Sequence, residues 1–322
     1  MFWRRPKAKP YTLFFATDLH GSEKCFLKFL NAAKFYDADA LILGGDLTGK
    51  GFVPVVRTDR GHRAEFLGRI EHVSTDAELA ELEKQIRFNG FYPYRCDADG
   101  LTRLRSDPAE LEQVFNQVMR SEVERWVAVA DERVAAAGIP CLMMPGNDDD
   151  PFVSEILSAA KTVRNVDGAV LPVGPYTVLG FGFSNPTPWH SPRELEEPAI
   201  EDALRRLAND TIDPSRTIWS IHPPPYNSSL DLAPKLKEDL SFATPGTQTH
   251  LVPVGSTAVR ALIAEYQPLL TLHGHIHESR AAARIGPTLC LNPGSEYNAG
   301  VLRGVLVRMG PSQVEGHQFV TG

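Results

Sequence analysis

The chain alternates short apolar runs with segments in which apolar residues recur at helical spacing. The first run, Tyr11–Thr17, is followed by the helical pattern of Ser22–Phe35 and then by a second run, Ala38–Leu43. Apolar residues at helical spacing predict an amphipathic helix, and short apolar runs between turn signals predict buried strands. A strand–helix–strand order of this kind favours an α/β fold, in which helices cover a sheet.

The same alternation continues to the end of the chain. Further buried strands are predicted at Pro140–Met144, Thr162–Val166, Tyr176–Phe181, Thr217–Ile221, Leu269–Leu272 and Thr288–Leu291. Further helices are predicted at Asp76–Phe88, Pro108–Ala137, Pro192–Ala208 and Ser256–Tyr266. The tail, Gly300–Val320, alternates apolar and polar residues like a closing pair of antiparallel strands.

Length alone, 322 residues, sets a prior of about two domains, but the pattern favours a simpler organisation. We predict a basic tail at residues 1–10 and one domain at residues 11–322. Residues 50–107 mix glycine, proline, aromatic and balanced charged residues. Apart from one helix they predict hairpin and loop, and we interpret them as an insertion between sheet elements. The sequence does not choose between a lid, a dimer contact and a decoration.

Composition excludes several classes of protein. Lys and Arg number 33 against 40 Asp and Glu, a net charge of −7, which makes the chain a poor partner for long nucleic acid. No apolar run is long enough to cross a membrane or to serve as a signal peptide. The cysteines are far apart, which favours free thiols in a reducing compartment. We therefore expect a soluble, cytoplasmic protein. The sequence leaves open whether it forms a homo-oligomer.

Polar side chains follow five of the apolar runs, at the points where strands should end. They are Asp18 with His20, Asp46, Asn147 with Asp148, Asp149 and Asp150, His222, and His275 with His277. The carboxyl ends of strands in α/β sheets are where ligands bind. Oxygen and imidazole donors together suit Mn²⁺, Fe²⁺, Zn²⁺ or Co²⁺. One such pair is a weak signal, but five in order predict a metal site.

These blocks resemble the ordered signature of the calcineurin-like metallophosphoesterase superfamily. The matching stretches are Asp18-Leu19-His20, Gly45-Asp46, Gly146-Asn147-Asp148-Asp149, His222 and Gly274-His275-Ile276-His277. The later Asn292-Pro293-Gly294-Ser295 is similar to a stretch in many bacterial and archaeal members. The resemblance implies a two-sheet sandwich flanked by helices, with an insertion after the second strand that no motif covers.

The resemblance also implies a pair of divalent metal ions. By position, Asp18, His20 and His277 would hold the first ion, and Asp46 would bridge the two. The second ion would be held by Asn147, His222 and His275. The implied activity is hydrolysis of a small phosphate ester, preferably a phosphodiester, by a hydroxide between the ions. The ions would also supply the local positive charge that an acidic chain lacks.

Asp148 departs from the family pattern, which has a histidine at this position that donates a proton or hydrogen bond. Asn147, Asp148 and Asp149 are the predicted catalytic residues. An ionised Asp148 repels phosphate and cannot donate, whereas a protonated one could. We therefore expect a preference for leaving groups that need little protonation, such as aryl esters or phosphodiesters. The alternative is that Asp148 only caps the following helix.

Two other functions compete with hydrolysis of a small ester. Some family members have lost catalytic residues, so a non-catalytic interaction scaffold on the same fold is the main alternative. A nuclease is disfavoured by the acidic balance and by the lack of a basic, aromatic stripe, although short oligonucleotides would fit.

Overall fold

A computed structural model describes residues 9–211, 213–236 and 250–322. Most of the predicted basic tail, residues 1–8, lies outside the described residues. Lys9 belongs to them, and its ammonium lies 2.8 Å from the carboxylate of Asp37.

Strands and helices alternate along most of the chain. The strands are β1 (Tyr11–Ala16), β2 (Ala40–Leu43), β3 (Phe52–Thr58), β4 (Gly61–Phe66), β5 (Arg69–Val73), β6 (Tyr92–Cys96), β7 (Cys141–Met143), β8 (Arg164–Asn165), β9 (Val170–Val173), β10 (Tyr176–Phe181), β11 (Thr217–Ile221), β12 (Leu232–Pro234), β13 (Leu251–Pro253), β14 (Leu270–Leu272), β15 (Ala281–Ile285), β16 (Thr288–Asn292), β17 (Arg303–Gly310) and β18 (Gln313–Thr321). The helices are α1 (Glu23–Phe35), α2 (Asp76–Phe88), α3 (Ala98–Ser106), α4 (Pro108–Ala137), α5 (Phe152–Ser158), α6 (Glu197–Asn209) and α7 (Thr257–Tyr266).

Two six-stranded sheets form the body of the structure. The first has the order β18-β17-β1-β2-β7-β8, and the second has the order β15-β16-β14-β11-β10-β9. The central strands of each sheet are parallel, β1 with β2 and β7 in the first and β10 with β11, β14 and β16 in the second. The carboxyl ends of the parallel strands in each sheet therefore meet at one edge, where the candidate side chains follow.

Successive residues of the central strands face opposite sides of their sheet. One side packs against the other sheet, and the opposite side packs against helices. Leu13 and Phe15 of β1 belong to a hydrophobic cluster that also contains Ile218 and Leu272 of the second sheet. Phe14 of β1 faces the opposite way and packs in a cluster with residues of α1, α4 and α5. Residues of α6 and α7 cluster with the other face of the second sheet. The α/β class predicted from the sequence is confirmed.

Residues 50–107 form a small sheet of their own with the order β5-β4-β3-β6. Val55 and Phe66 of this sheet pack with Leu79 and Ile86 of α2. The helix predicted at Asp76–Phe88 is confirmed at both ends. The predicted hairpin is present as β3–β4–β5, but the remainder is the parallel strand β6 and the helix α3. Few apolar residues mark α3, which is why periodicity did not reveal it.

Several predicted boundaries are shifted. The strand predicted at Thr162–Val166 is only the two residues of β8. The helix predicted to start at Pro192 begins at Glu197, because the preceding residues pair with Ser184 through backbone hydrogen bonds. The predicted strand pair of the tail is confirmed as β17 and β18. Within the described residues, no helix is both long enough and apolar enough to cross a bilayer.

Candidate metal centre

The loops after β1 and β2 lie side by side, held by their backbones. The amide of Asp18 donates to the carbonyl of Gly45 at 3.0 Å, and the amide of His20 donates to that of Asp46 at 2.9 Å. Asp18, His20 and Asp46 have φ values of 55°, 41° and 51°, and His275 has 67°. Left-handed backbone costs about 1–3 kcal/mol per non-glycine residue and is concentrated at functional sites. Four strained residues in one place indicate such a site.

A first cluster contains Asp18, His20, Asp46 and His277, whose ligand atoms lie within 4.8 Å of one another. Nε2 of His20 lies 3.1 Å from Nε2 of His277. Oδ1 of Asp18 lies 3.5 Å from the same atom of His277, and Oδ2 of Asp46 lies 3.6 Å from Nε2 of His20. Four donor atoms therefore point at one another around a small volume, as the ligands of a cation do.

A second cluster contains Asp46, His222 and His275. Nε2 of His222 lies 3.3 Å from Oδ2 of Asp46. The amide oxygen of Asn147 lies 3.0 Å from Nε2 of His222 and 2.7 Å from Nδ1 of His275. Asp46 thus belongs to both clusters, and the predicted ligands from five strand ends are all brought together.

The orientation of the His222 ring suits a metal ligand. Its Nδ1 lies 2.9 Å from the carbonyl oxygen of Gly44 and donates to it, so that Nε2 faces the cluster. Gly45 makes room for this ring, since an added Cβ would lie 2.5 Å from Nδ1 of His222, and its φ is +117°. The ring orientation is therefore set by the backbone.

The charges in the centre also fit a cation. Burial opposes ionisation, but His222 and His20 hold the pKa of Asp46 below its ordinary value. Burial would likewise lower the pKa of His222, yet Asp46 and Asp18 raise it to about 10. Burial lowers the pKa of His20 and of His275 to about 4, so those rings are neutral and free to ligate. A proton on His222 thus balances buried carboxylates, and metal binding releases protons of this kind.

Asp149 is completely buried and supports the loops of the centre. Its carboxylate accepts from the amides of Leu47, Thr48 and Gly146 and from the hydroxyl of Thr48 at 2.6 Å. Burial and the charge of Asp46 raise its pKa to about 6. These contacts are those of a positioning residue, and the catalytic role predicted for Asp149 stays a prediction.

Asp148 does not cap the helix that follows it, so that alternative is wrong. The carboxylate that accepts from the amide of Phe152 at the start of α5 belongs to Asp150, at 3.1 Å. Asp148 instead accepts from the hydroxyl of Ser191 at 2.7 Å and lies 2.6 Å from Nζ of Lys50. Its own amide donates to Asp46 at 3.0 Å. Asp148 therefore lies at the centre.

Sequence reasoning missed several residues that contact this centre. Lys50 and Ser191 lie outside every motif, and only tertiary contact brings them to Asp148. The ring of Tyr297 lies 4.6 Å from that of His20 and 5.8 Å from that of His277, centroid to centroid. Its position shortly after the Asn292-Pro293-Gly294-Ser295 stretch was the one available signal.

Two further residues hold the loops from behind. Ser295 donates through its hydroxyl to the carbonyl of Asp18 at 2.7 Å. Arg193 is buried and donates to the carbonyl of Gly146 at 3.0 Å. It also pairs with Asp167 at 2.6 Å. His273, two residues before His275, is fully buried, and its Nε2 lies 2.8 Å from the hydroxyl oxygen of Thr271.

Comparison with known sequences finds one similar stretch in another protein. No family model matches the chain. An uncharacterized protein of Methanocaldococcus jannaschii is 30% identical over 154 residues, which are 47% of this chain and 62% of that protein. The chain therefore matches less than two thirds of that relative's length.

Several solved structures match nearly the whole chain, and two of them have TM-scores above 0.5. TT1561 of Thermus thermophilus is 17% identical with a TM-score of 0.51, and the match covers 97% of this chain and 98% of that one. Another crystal structure is 14% identical with a TM-score of 0.53 and the same coverage. At such low identity these likenesses concern the fold alone.

Proposed function

We propose that the protein is a metal-dependent phosphoesterase of the calcineurin-like superfamily, which hydrolyses a small phosphate ester and prefers a phosphodiester. The observation that carries this proposal is the pair of clusters that share Asp46. The order of their residues along the chain matches the family signature. The hydrophobic cluster drawn from both six-stranded sheets also suits the two-sheet sandwich that the resemblance implies.

The proposed ligands follow the two clusters. Asp18, His20 and His277 would hold one divalent ion, Mn²⁺, Fe²⁺, Zn²⁺ or Co²⁺, and Asp46 would contact both. Asn147, His222 and His275 would hold the second. When bound, such ions supply Lewis acidity toward phosphoryl oxygens and lower the pKa of water toward neutrality. Hydrolysis adds the oxygen of water to phosphorus and breaks the ester P–O bond, and the water's proton leaves with the alcohol or to solvent.

Contacts within the chain orient the side chains that would take part in this reaction. The amide of Asp148 donates to Oδ1 of Asp46, which leaves Oδ2 facing both clusters. Asn147 directs its amide oxygen at His222 and His275, while its Nδ2 donates to Asp148 at 3.3 Å. These contacts hold the carboxylate and the amide in one orientation, so that little reorganisation is needed when substrate binds.

Asp148 also supports the preference for phosphodiesters. Its carboxylate already accepts from Ser191 and Asn147 and pairs with Lys50. An ionised carboxylate in these contacts has no proton to give to a leaving group. Esters whose alcohol leaves readily, and singly charged diesters, suit such a site better than dianionic monoesters.

The experiment is a panel of phosphomonoesters and phosphodiesters, cyclic nucleotides included, assayed with each of the four metals. We expect turnover that disappears on chelation, returns with one or more metals and favours diesters. Asp18→Asn, purified in parallel, controls for contaminating phosphatases and should be inactive. Bound metal near stoichiometry without turnover of any ester would instead support the non-catalytic scaffold.

A further inference from the structure

Lys50 lies where residues 50–107 leave the body of the fold, next to the candidate metal centre. Its Nζ is 2.6 Å from Oδ2 of Asp148. The other oxygen of Asp148 accepts from Ser191 at 2.7 Å and from Asn147 at 3.3 Å. Most exposed ion pairs are mobile and contribute little. Here the acidic partner is held by two other donors, so the ammonium has a defined place.

The backbone before Lys50 is also held firmly. The amide of Gly49 donates to the hydroxyl of Tyr92 in β6 at 2.6 Å. An added Cβ at Gly49 would lie 2.4 Å from the carbonyl oxygen of Gly90, so the two chain segments touch. The small sheet therefore holds the backbone that leads to Lys50 against the centre.

The ammonium is close to the centre and still reachable. Oδ2 of Asp148, which binds Lys50, lies 4.0 Å from Nδ1 of His20. The side chain of Lys50 is 63% exposed, whereas that of His20 is fully buried. A lysine has three N–H donors. One is directed to Asp148, and the other two have no acceptor among the residues that the structure describes, so an anion that approaches from solvent can reach them.

We propose that Lys50 binds the phosphoryl group of the substrate, with Asp148 as the residue that positions it. This inference rests on the proposed phosphoesterase function. The ammonium of Lys50 lies next to Asp148, which stands at the position where the family pattern has a histidine. Because the carboxylate of Asp148 offsets the charge of Lys50, the pair adds little attraction for the extra negative charge that distinguishes a monoester from a diester.

The test compares Lys50→Met, Lys50→Arg and the matched control Lys84→Met, an exposed lysine in α2 of the same insertion. The first readout is the affinity of the Mn²⁺-loaded protein for inorganic phosphate, measured by calorimetry. A hydrogen bond from a charged donor corresponds to about 10–100-fold in binding. We expect a loss of that size in Lys50→Met, most of the affinity kept in Lys50→Arg, and no change in Lys84→Met.

The second readout is kcat/KM for bis(4-nitrophenyl) phosphate and for 4-nitrophenyl phosphate. We expect Lys50→Met to lower both, and Asp148→Asn to raise the monoester rate relative to the diester rate. The double variant Lys50→Met/Asp148→Asn should stay impaired. If the double variant regains the affinity of the wild type, Lys50 serves only to neutralise Asp148, and the proposal is wrong. Equal phosphate affinity in Lys50→Met and Lys84→Met would also overturn it.

Failure of this inference can be told from failure of the proposed function. Metal content and thermal midpoint should be the same in Lys50→Met and wild type, because Lys50 is not a ligand. If no ester is hydrolysed but phosphate binding still depends on Lys50, the anion site stands and the enzyme assignment falls. If esters are hydrolysed and phosphate binding does not depend on Lys50, the enzyme assignment stands and the anion site at Lys50 falls.

Discussion

The two ligand clusters share Asp46 but are held in different ways. In the second cluster, the ring of His222 is fully buried and bonded to a backbone carbonyl. In the first, the side chain of His277 is 29% exposed, and Nδ1 of His20 is buried without a hydrogen-bond partner among the described residues. The first cluster is lined instead by the half-buried ring of Tyr297.

This difference separates a preformed site from an adaptable one. A histidine whose other ring nitrogen is bonded to the backbone keeps its ring orientation before an ion binds. The rings of His20 and His277 face each other and lack such support within the described part of the chain, so an ion bound there would have to order them. We therefore expect two classes of metal binding, with the tighter class at His222, His275 and Asn147.

The largest effect should come from the residue that the clusters share. Asp46→Asn removes the charge that faces both, so both classes of metal binding should weaken and hydrolysis should fall by about 10³-fold or more. Metal content by mass spectrometry and turnover of an aryl phosphodiester measure this, with Asp99→Asn as the control. Retention of two bound ions in Asp46→Asn would contradict the shared role.

Substitutions in the two clusters should remove different classes of metal binding. His222→Gln should abolish the tighter class in a calorimetric Mn²⁺ titration, and His277→Gln should abolish only the weaker class. Each loss should exceed the roughly 10–100-fold that removal of a supporting hydrogen bond costs. If His277→Gln removes the tighter class, the preformed and adaptable clusters are assigned the wrong way round.

The smallest effects concern the supports behind the loops and are measured without metal. Asp149→Ala leaves several buried amides without an acceptor and should lower the free energy of unfolding by about 3 kcal/mol or more. Ser295→Ala removes one hydrogen bond to Asp18 and should cost about 1 kcal/mol. Urea unfolding of the two variants in the presence of a chelator measures the difference in their free energies of unfolding. Equal losses of unfolding free energy in the two variants would contradict the larger supporting role of Asp149.

Much of the fold could be predicted because its strands are buried on both faces. Runs such as Tyr176–Phe181 and Thr217–Ile221 are apolar almost throughout, and both were predicted with the correct bounds. The edge strand β15 was missed, since its three alanines and one arginine give no strongly apolar run. The strands β12 and β13 are three residues each and both end in proline, which argues against a strand in a sequence pattern.

The candidate ligands could be named in advance because each one follows a strand, and parallel strands end at a common edge. Asp18, Asp46 and His222 are in this group. Lys50 could not be named this way, because no motif covers it and its partner is far away along the chain. Ser191 is similar, since its loop reaches Asp148 only through the pairing of residues near Ser184 with those near Arg193.

The sequence by itself determined the α/β class, most of the elements and the set of oxygen and nitrogen donors, because periodicity and strand ends are local properties of a chain. Only the tertiary structure decided that Asp148 pairs with Lys50, that Asp149 supports the loops and that the two clusters differ in the hydrogen bonds that hold their histidines. Those properties depend on distances between atoms far apart in sequence, and local patterns carry no information about them.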